Sequence, residues 1–356
     1  MKKIISFIGC LICFMAFGCS IGHTHSYDKM NSDENEHWKE CSCGNKMEIE
    51  AHNWDNGVIK KEATETEEGT MLYTCTVCGK TKEVKIDKLV PSNGLDIVVK
   101  DDYAILKGIG ACTDVNIVVP KTFNNLPITT INDRAFFYNK TIEKVIIQGN
   151  VTSIGSEAFS LCTSLKEVII YNGVTKIVYS AFKNCKSLIN VTLPNSITSI
   201  GDSAFEGCES LKSIILPNGL KGISSSMFLS CTSLKSVIIP EGITSIGDKA
   251  FRECEALENV SLPNGITIIG NMAFQKCKSL NNVTLPGTLK IIGSLAFTQC
   301  AFSTIIIPIA VTKIGNAAFN TKCLLTIYCE AQSKPKDWDD DWAYVETEVF
   351  WGYTHD

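Results

Sequence analysis

Nine phenylalanines recur at a nearly constant interval along most of the chain. Seven of the eight gaps between them are 23 residues long, and the last is 22. They are Phe136, Phe159, Phe182, Phe205, Phe228, Phe251, Phe274, Phe297 and Phe319. A repeat of this length is typical of a solenoid, in which each repeat forms one coil that stacks on the next. Because solenoids present long regular surfaces, the spacing favours a binding function.

The pattern within a repeat predicts a short strand followed by a turn. In residues 187–209, apolar residues follow the L-x-x-L-x-L spacing of leucine-rich repeats. Alternation along a strand directs Val191 and Leu193 inward and leaves Thr192 facing outward. Pro194 then ends the strand, because it has no N–H group to donate to a ladder.

A cysteine occupies the same position in eight repeats: Cys162, Cys185, Cys208, Cys231, Cys254, Cys277, Cys300 and Cys323. Equivalent atoms of adjacent coils lie about 4.8 Å apart, which is within the Cα separation that a disulfide allows. Each cysteine, however, would face two equal neighbours, and side chains in a stacked column point the same way. We therefore expect reduced thiols that fill a narrow slot in the core.

These units resemble a known class of bacterial repeats. The motif IGxxAFxxCxSLxxVxLPxxI is similar to the treponemal, BspA-like leucine-rich repeats over residues 131–323 and, with less regular ends, over 91–356. The resemblance implies a leucine-rich-repeat solenoid of short parallel strands. It also implies an exported or lipid-anchored surface protein without catalytic residues, of a family with several members implicated in attachment to host matrix proteins and to other bacteria. The chain departs from the motif at Asn139, which replaces the cysteine, and at Met227, which replaces an alanine.

The chain start predicts export. Lys2 and Lys3 precede an apolar run from residue 4 to residue 17, as in a bacterial signal peptide. The run ends before Cys19 in a sequence that resembles a lipobox, so we expect Cys19 to be acylated and to anchor the protein to a membrane. The expected location is the outer membrane or cell surface. The alternative is ordinary cleavage to a soluble exported protein.

Taken together, these patterns divide the whole chain into six predicted segments. They are a signal peptide (1–18), a lipidated cysteine with a polar tether (19–36), a Cys/His module (37–90), an N-terminal cap (91–130), the solenoid (131–323) and a C-terminal cap (324–356). A solenoid needs caps because its terminal coils each lack a neighbour. The tail contains Trp338, Trp342 and Trp351, which suit a lid on the last coil.

Cysteines and histidines of the 37–90 module have spacings typical of metal ligands. Both cysteine pairs precede a glycine, which permits the tight turn of a metal knuckle. The candidate ligands are Cys41, Cys43, His52, Cys75 and Cys78. Four thiolates, or three with His52, predict a structural zinc site. Two disulfides are the main alternative outside the inner membrane, and a redox pair at Cys75 and Cys78 is a weaker one, since no βαβ pattern surrounds it.

The outward column of the first strands is the predicted binding face. Its residues are Ile146, Ile169, Thr192, Ile215, Ile238, Ser261, Thr284 and Ile306. Five of the eight are isoleucine, and the neighbouring column is polar. An apolar stripe with a polar border is typical of a protein-binding surface. Alternatively, these residues simply suit a strand and pack on one another along the ladder.

Composition excludes several other functions. The net charge is −5 and the sequence has no stripe of basic residues, so nucleic acid is not an expected partner. None of the five histidines falls within the repeats, and the sequence has no P-loop and no G-x-S-x-G or H-E-x-x-H motif. We therefore expect no enzyme, and no cofactor other than the zinc. Two hypotheses remain: an adhesin that binds host matrix or bacterial surface proteins, and a structural envelope protein that binds components of its own cell.

Overall fold

The computed structural model describes residues 26–27, 29–321, 324–344 and 346–354. These residues form two compact units. The first consists of the described residues up to Trp54 together with Thr74–Lys80, and the second of Asp55–Tyr73 together with the chain from Thr81 onward. The predicted signal peptide, Cys19 and the last repeat cysteine, Cys323, lie outside the described residues.

The first unit is a small antiparallel sheet with one added turn. Its strands are β1 (Lys29–Ser32), β2 (Glu36–Glu40) and β3 (Lys46–Ala51), in the order β1-β2-β3. An antiparallel bridge between Trp54 and Cys75 brings the turn of residues 74–80 against this sheet. The two parts of the unit are therefore distant in sequence but hydrogen-bonded to each other.

The second unit begins with a three-stranded sheet. Its strands are β4 (Val58–Lys61), β5 (Gly69–Thr74) and β6 (Thr81–Ile86), in the order β4-β5-β6. The strands that follow lead into the solenoid: β7 (Asp96–Val99), β8 (Ala104–Gly108), β9 (Asn116–Val119), β10 (Thr122–Phe123) and β11 (Leu126–Ile131). Strand β7 pairs antiparallel with β8, so the first edge of the stack is closed by a hairpin.

From Lys144 onward, most coils contribute a longer first strand and a two-residue second strand. The strands are β12 (Lys144–Ile147), β13 (Ser153–Ile154), β14 (Glu167–Ile170), β15 (Lys176–Ile177), β16 (Asn190–Thr192), β17 (Ser199–Ile200), β18 (Ser213–Ile215), β19 (Gly222–Ile223), β20 (Ser236–Ile238), β21 (Ser245–Ile246), β22 (Asn259–Ser261), β23 (Ile268–Ile269), β24 (Asn282–Thr284), β25 (Ile291–Ile292), β26 (Thr304–Ile307), β27 (Lys313–Ile314), β28 (Thr326–Cys329) and β29 (Glu348–Trp351).

Equivalent strands of successive coils follow one another at the repeat spacing, and most of them pair in parallel within short sheets. The first strands form the sheets β9-β12-β14-β16, β18-β20, β22-β24 and β26-β28-β29, and the second strands form β11-β13-β15-β17 and β19-β21-β23-β25-β27. We call the column of first strands the first ladder and the column of second strands the second ladder. Val145 pairs with Val168 in the first ladder, and Ile154 pairs with Ile177 in the second. The result is a leucine-rich-repeat β-solenoid of about 11 turns, with no helix among the described residues. The fold class predicted from the sequence is confirmed.

The repeated phenylalanines form one continuous stack inside the solenoid. All nine rings are buried, and neighbouring rings lie 4.9 to 5.7 Å apart with interplanar angles of 3° to 13°. Each ring between Phe159 and Phe297 therefore contacts the rings of the coils before and after it. Because offset aromatic stacking adds to the burial of apolar area, this column joins the nine coils that contribute a ring.

The repeat cysteines are buried thiols that also bond across coils. Each Sγ–H from Cys162 to Cys300 donates to the carbonyl oxygen of a phenylalanine 26 residues earlier, at 3.1 to 3.3 Å. Their spacing thus serves hydrogen bonding and packing, and these seven cysteines are reduced. In the first repeat of the solenoid, Asn139 takes the place of the cysteine, and its Oδ1 accepts from the backbone N–H groups of Thr141 and Ile142, at 2.9 and 3.0 Å.

Charged residues tie adjacent coils together on the surface. Several lysine–glutamate pairs span 23 residues, so each links equivalent positions of neighbouring coils. They are Lys144–Glu167, Lys166–Glu143, Lys183–Glu206, Lys186–Glu209, Lys235–Glu258, Lys276–Glu253 and Lys278–Glu255, with N–O distances of 2.6 to 3.8 Å. Exposed pairs of this kind contribute only about 0.2–1 kcal/mol each, so the stack depends mainly on its buried columns.

The far end of the stack is closed by the tryptophan-rich tail. Trp342 lies edge-on against Phe319, with ring centroids 5.9 Å apart at 87°. Trp338 packs on Trp342 and donates its indole N–H to the carbonyl oxygen of Val311, at 3.2 Å. Strands β28 and β29 extend the first ladder beyond the last regular repeat. The tail therefore covers the final phenylalanine and continues the ladder.

Alkaline pH is expected to destabilise the solenoid through its buried thiols. Burial raises the pKa of Cys162 from its ordinary value of 9.0 to about 12. The contribution of this buried thiol to the free energy of unfolding is fully present below pH 9 and is lost as the pH rises toward 12. The reason is that the thiol of the unfolded chain loses its proton at a lower pH than the buried thiol does. The loss is about 1.4 kcal/mol per pH unit for such a thiol.

Denaturant unfolding at about pH 8 and about pH 10 measures this effect. Cys162→Ala should make the fall in unfolding free energy shallower, whereas Cys43→Ser, at an exposed position in the first unit, should leave it unchanged. Equal pH dependence in wild type and Cys162→Ala would contradict the prediction.

Candidate metal centre and interaction face

The first unit brings together two histidines and two cysteines from three sequence segments. His37 lies on β2, and His52 directly follows β3. Cys75 and Cys78 lie in the turn between β5 and β6, which is closed by bonds from the Cys75 N–H to the Lys80 carbonyl and from the Gly79 N–H to the Cys75 carbonyl, at 2.7 and 2.9 Å. The φ angle of 73° at Gly79 explains the glycine after this cysteine pair, since other residues rarely adopt it.

The potential ligand atoms of these four residues form one compact group. One ligand atom from each residue lies within 4.8 Å of the ligand atoms of the other three, and the group is able to hold a metal ion. The Cys75 Sγ lies 3.9 Å from Nδ1 of His37, and the Cys78 Sγ lies 3.4 Å from Nδ1 of His52. His37 and Cys75 are only 3% and 1% exposed. The group therefore lies largely inside the unit.

Hydrogen bonds adjust the acid–base state of two members of the group. Burial alone would raise the pKa of the Cys75 thiol. Hydrogen bonds from the backbone N–H groups of Cys78 and Val77 and from the side chain of His52 outweigh this effect and lower the pKa from 9.0 to about 6. The bond to the Asp33 carbonyl raises the pKa of His52. A lowered thiol pKa favours the thiolate, which is the form that binds metals.

The observed group differs from the predicted ligand set at two cysteines. His52, Cys75 and Cys78 belong to it, but Cys41 and Cys43 do not, and His37 takes part instead. Cys41 is buried and Cys43 is exposed in the turn between β2 and β3, where the Cys41 carbonyl accepts from the Gly44 N–H. In the sequence, the C-x-C spacing of Cys41 and Cys43 is one residue shorter than the spacing of the second pair.

His37 had a signal in the sequence that the ligand prediction did not use. His37 is followed by Trp38, and His52 is followed two residues later by Trp54, so a histidine–tryptophan pair occurs before each cysteine pair. The rings of His37 and His52 lie 5.6 Å apart, and that of Trp54 lies 4.8 Å from His52. Each of the two histidines is thus followed closely by a tryptophan and precedes a cysteine pair in the sequence.

We call the outward column of the first ladder, from Ile146 to Ile306, the strand face. Its residues are absent from the solenoid core cluster, whereas their neighbours Val145, Val168 and Ile214 belong to it. The structure divides this column by exposure. Ile146, Ile169 and Thr192 form a buried part, and Ile215, Ile238, Ser261, Thr284 and Ile306 form an open part that is half-buried or exposed.

The buried part lies beneath the β4–β6 sheet. Ile146 and Ile169 pack in a second apolar cluster with Met71, Leu89 and Tyr171, of which Met71 belongs to β5. Ile169 is only 3% exposed as a result. The sequence places this sheet in the same segment as the metal ligands, and nothing in its pattern indicates that it packs on the solenoid.

Polar contacts fix the β4–β6 sheet to the solenoid at three places. The backbone N–H of Ala63 donates to the Tyr171 hydroxyl at 3.3 Å, and the N–H of Asn172 donates to Glu62 Oε1 at 2.9 Å. Farther along the stack, the Ser213 hydroxyl donates to Asn56 Oδ1 at 2.8 Å. The sheet is therefore held by specific hydrogen bonds as well as by apolar packing.

Comparison with protein-family models identifies the repeats. The model for the BspA type leucine rich repeat region matches six copies, over residues 129–258 and 244–334, which is more than half of the chain. The chain belongs to the BspA-type leucine-rich-repeat family. No curated protein sequence matches it.

Crystal structures of bacterial leucine-rich repeat proteins are similar to this BspA-type chain. A protein from Bacteroides ovatus shares its fold at 24% identity, with a TM-score of 0.64 over 75% of this chain and 71% of that one. A leucine rich cell surface protein from Faecalibacterium prausnitzii has 27% identity and a TM-score of 0.54, covering 67% and 70%. The leucine-rich repeat protein of T. pallidum has 28% identity and a TM-score of 0.52, covering 55% and 92%.

The open part of the strand face continues into aromatic residues at the end of the BspA-type stack. In the ladder, Ile306 pairs with Tyr328, and Tyr328 pairs with Phe350. The rings of Tyr328 and Phe350 stack at 5.3 Å, and Phe350 is 50% exposed. Sequence reasoning missed these positions because the tail does not keep the 23-residue interval.

A charge placed in the buried part of the strand face should destabilise the protein much more than a charge placed at the equivalent position of the open part. Ile169→Glu would bury a carboxylate beneath the β4–β6 sheet, and an uncompensated buried charge costs roughly 3–5 kcal/mol. Ile238→Glu, at a position that is 50% exposed, should change the free energy of unfolding by about 0.5 kcal/mol or less.

Chemical denaturation and limited proteolysis of residues 58–86 measure the two effects. Ile169→Glu should lower the unfolding midpoint and speed cleavage within the sheet, whereas Ile238→Glu should do neither. An Ile169→Glu variant with wild-type stability and wild-type cleavage would contradict the described cover.

Proposed function

We propose that this chain is a lipid-anchored bacterial surface protein that binds other proteins through the open part of the strand face. The observation that supports the proposal most is the half-exposed Ile238, in a column that also includes the partly exposed Ile215 and Ile306. Apolar side chains on strands that are already formed offer a preformed contact surface, which lowers the entropy cost of binding.

The surroundings of the open part suit a protein partner. The neighbouring column contains Ser236, Asn259, Asn282 and Thr304, which are polar and at least partly exposed. Apolar residues with a polar border that donates and accepts hydrogen bonds are typical of protein interfaces. The β4–β6 sheet already uses the same face at its start, where Ile146 and Ile169 contact Met71. The face thus suits the apolar side of another β-structure.

The partner class that we favour is a host matrix protein or a bacterial surface protein, which makes the chain an adhesin. One similar structure is that of a cell surface protein, and solenoids of this family generally bind proteins. The alternative is a structural envelope protein whose open strand face contacts components of its own cell. No catalytic role is proposed, because the repeats contain no histidine that could act as an acid or a base.

Attachment to the membrane is proposed through the lipid on Cys19. The described residues contain no helix long and apolar enough to span a bilayer. Several acyl chains on one cysteine would hold the protein firmly, at about 0.8 kcal/mol per buried CH₂ group. In this proposal the Cys/His module follows the anchor and owes its stability to a structural zinc ion.

A double substitution in the open part tests the docking proposal. Ile215→Glu with Ile238→Glu should weaken binding to immobilised matrix proteins at least about tenfold, since two charges would have to be desolvated in an apolar contact. Thermal unfolding should remain nearly unchanged. Ile268→Glu provides a matched control, because Ile268 is 41% exposed but lies on the second ladder.

Three results of this experiment would count against the proposal or redirect it. Equal loss of binding in Ile268→Glu would contradict docking on the strand face. Absence of matrix binding in wild type, together with capture by the cell's own envelope proteins that the double variant loses, would favour the structural envelope protein. Unchanged binding in the double variant would remove the open part as the site.

Replacing the proposed lipidated cysteine should release the protein from the membrane. Cys19→Ser leaves no thiol for acylation, so the protein should move from the detergent phase to the aqueous phase of a phase-partition assay and lose incorporation of labelled fatty acid. Cys13→Ser, within the apolar run, is the control and should partition as wild type does. Retention of the label by Cys19→Ser would contradict the anchor.

A further inference from the structure

The first unit has almost no hydrophobic core of its own. Among its described residues, the buried side chains are His37, Trp38, Cys41, His52 and Cys75. Strand β3 is exposed along its whole length, including Met47 and Ile49. Three of the five buried side chains are therefore members of the Cys/His group. A unit of this size with so little apolar burial needs a covalent or metal cross-link to stay folded.

The distances within the group fit a tetrahedral metal ion. Zinc binds thiolate sulfur at about 2.3 Å and imidazole nitrogen at about 2.0–2.1 Å, so a sulfur and a nitrogen on one tetrahedral ion lie about 3.6 Å apart. The two sulfur–nitrogen distances in the structure, 3.9 Å for Cys75 with His37 and 3.4 Å for Cys78 with His52, lie on either side of this value.

The ring of His52 is held in the orientation that a ligand needs. Its Nε2 lies 2.9 Å from the carbonyl oxygen of Asp33, which can only accept a hydrogen bond. Nε2 therefore carries a proton, and in the neutral ring Nδ1, which lies 3.4 Å from the Cys78 Sγ, has the free lone pair. Histidines that bind metals usually donate their second nitrogen to a carbonyl or carboxylate in this way, which fixes the tautomer.

We propose that His37, His52, Cys75 and Cys78 bind one zinc ion in a closed tetrahedral site. Two thiolates and two imidazoles in this geometry suit zinc better than the hard oxygen-seeking cations. All four positions are filled by protein, so the ion has a structural role and no open position for catalysis. On binding, the two cysteines release their thiol protons to solvent. Cys41 and Cys43 are not ligands.

The site cross-links segments that are far apart in sequence. His37 and His52 flank the β2–β3 hairpin, whereas Cys75 and Cys78 come from the turn of residues 74–80. A metal ion that joins them closes the loop between residues 52 and 75, so it stabilises the first unit by restricting the unfolded chain. This role is independent of docking on the strand face.

Metal content of the full chain, purified under reducing conditions, tests the assignment. Wild type should contain about one equivalent of zinc. Cys75→Ser and His37→Ala should each reduce the zinc retained after dialysis at least about tenfold, since even changes outside the ligand sphere cost about that much. Cys43→Ser and Cys41→Ser are the matched controls and should keep the wild-type content.

Cobalt substitution of the wild type gives a readout that does not depend on any variant folding. Co²⁺ in the site should show the intense visible bands of tetrahedral coordination and a charge-transfer band whose strength corresponds to two thiolates. Less than about half an equivalent of zinc in wild type, or a Cys75–Cys78 disulfide in protein isolated from cells, would overturn the site. A spectrum of three or four thiolates, or zinc loss in Cys41→Ser or Cys43→Ser, would overturn the ligand set.

Discussion

Contacts between neighbouring coils hold this solenoid together, because the side chains at its centre have their partners in the next coil. Within the column each phenylalanine ring between Phe159 and Phe297 stacks on the rings before and after it, and each buried thiol from Cys162 to Cys300 donates to a phenylalanine carbonyl of an earlier coil. A single coil of 23 residues buries too few apolar groups to offset the entropy of ordering its backbone. Stability therefore arises from stacking, as a sum over interfaces between coils.

This dependence on neighbours explains how the ends of the stack are built. At the start, the β7–β8 hairpin closes the edge of one ladder, and at the far end Trp342 covers the ring of Phe319. The β4–β6 sheet adds a second form of closure, because it buries Ile146 and Ile169 on the outer side of the first ladder. The middle and later coils keep their outward residues exposed, and the proposed interaction face is confined to them.

Much of the solenoid was predictable from the sequence, because every coil repeats the same physical solution. The 23-residue interval of the phenylalanines identified the fold, and alternation around Val191 identified the inward residues. The cover over Ile169 was not predictable, since it depends on contacts between residues 59–89 and the ladder that no local pattern encodes. In the first unit, spacing identified Cys75 and Cys78, but only the folded hairpin shows that His37 lies beside Cys75 and that Cys43 is exposed.

The most direct measurement of the central claim is hydrogen exchange, followed by mass spectrometry, on the full chain. If coils are stabilised by their neighbours, amide protection should be highest in the middle of the stack, around Phe205 to Phe251, and should decline toward both ends. The amides of the middle coils should also become exchangeable together, because opening one coil removes the contacts of the next. Rapid exchange in the middle coils, or protection that differs from coil to coil without relation to position, would contradict this account.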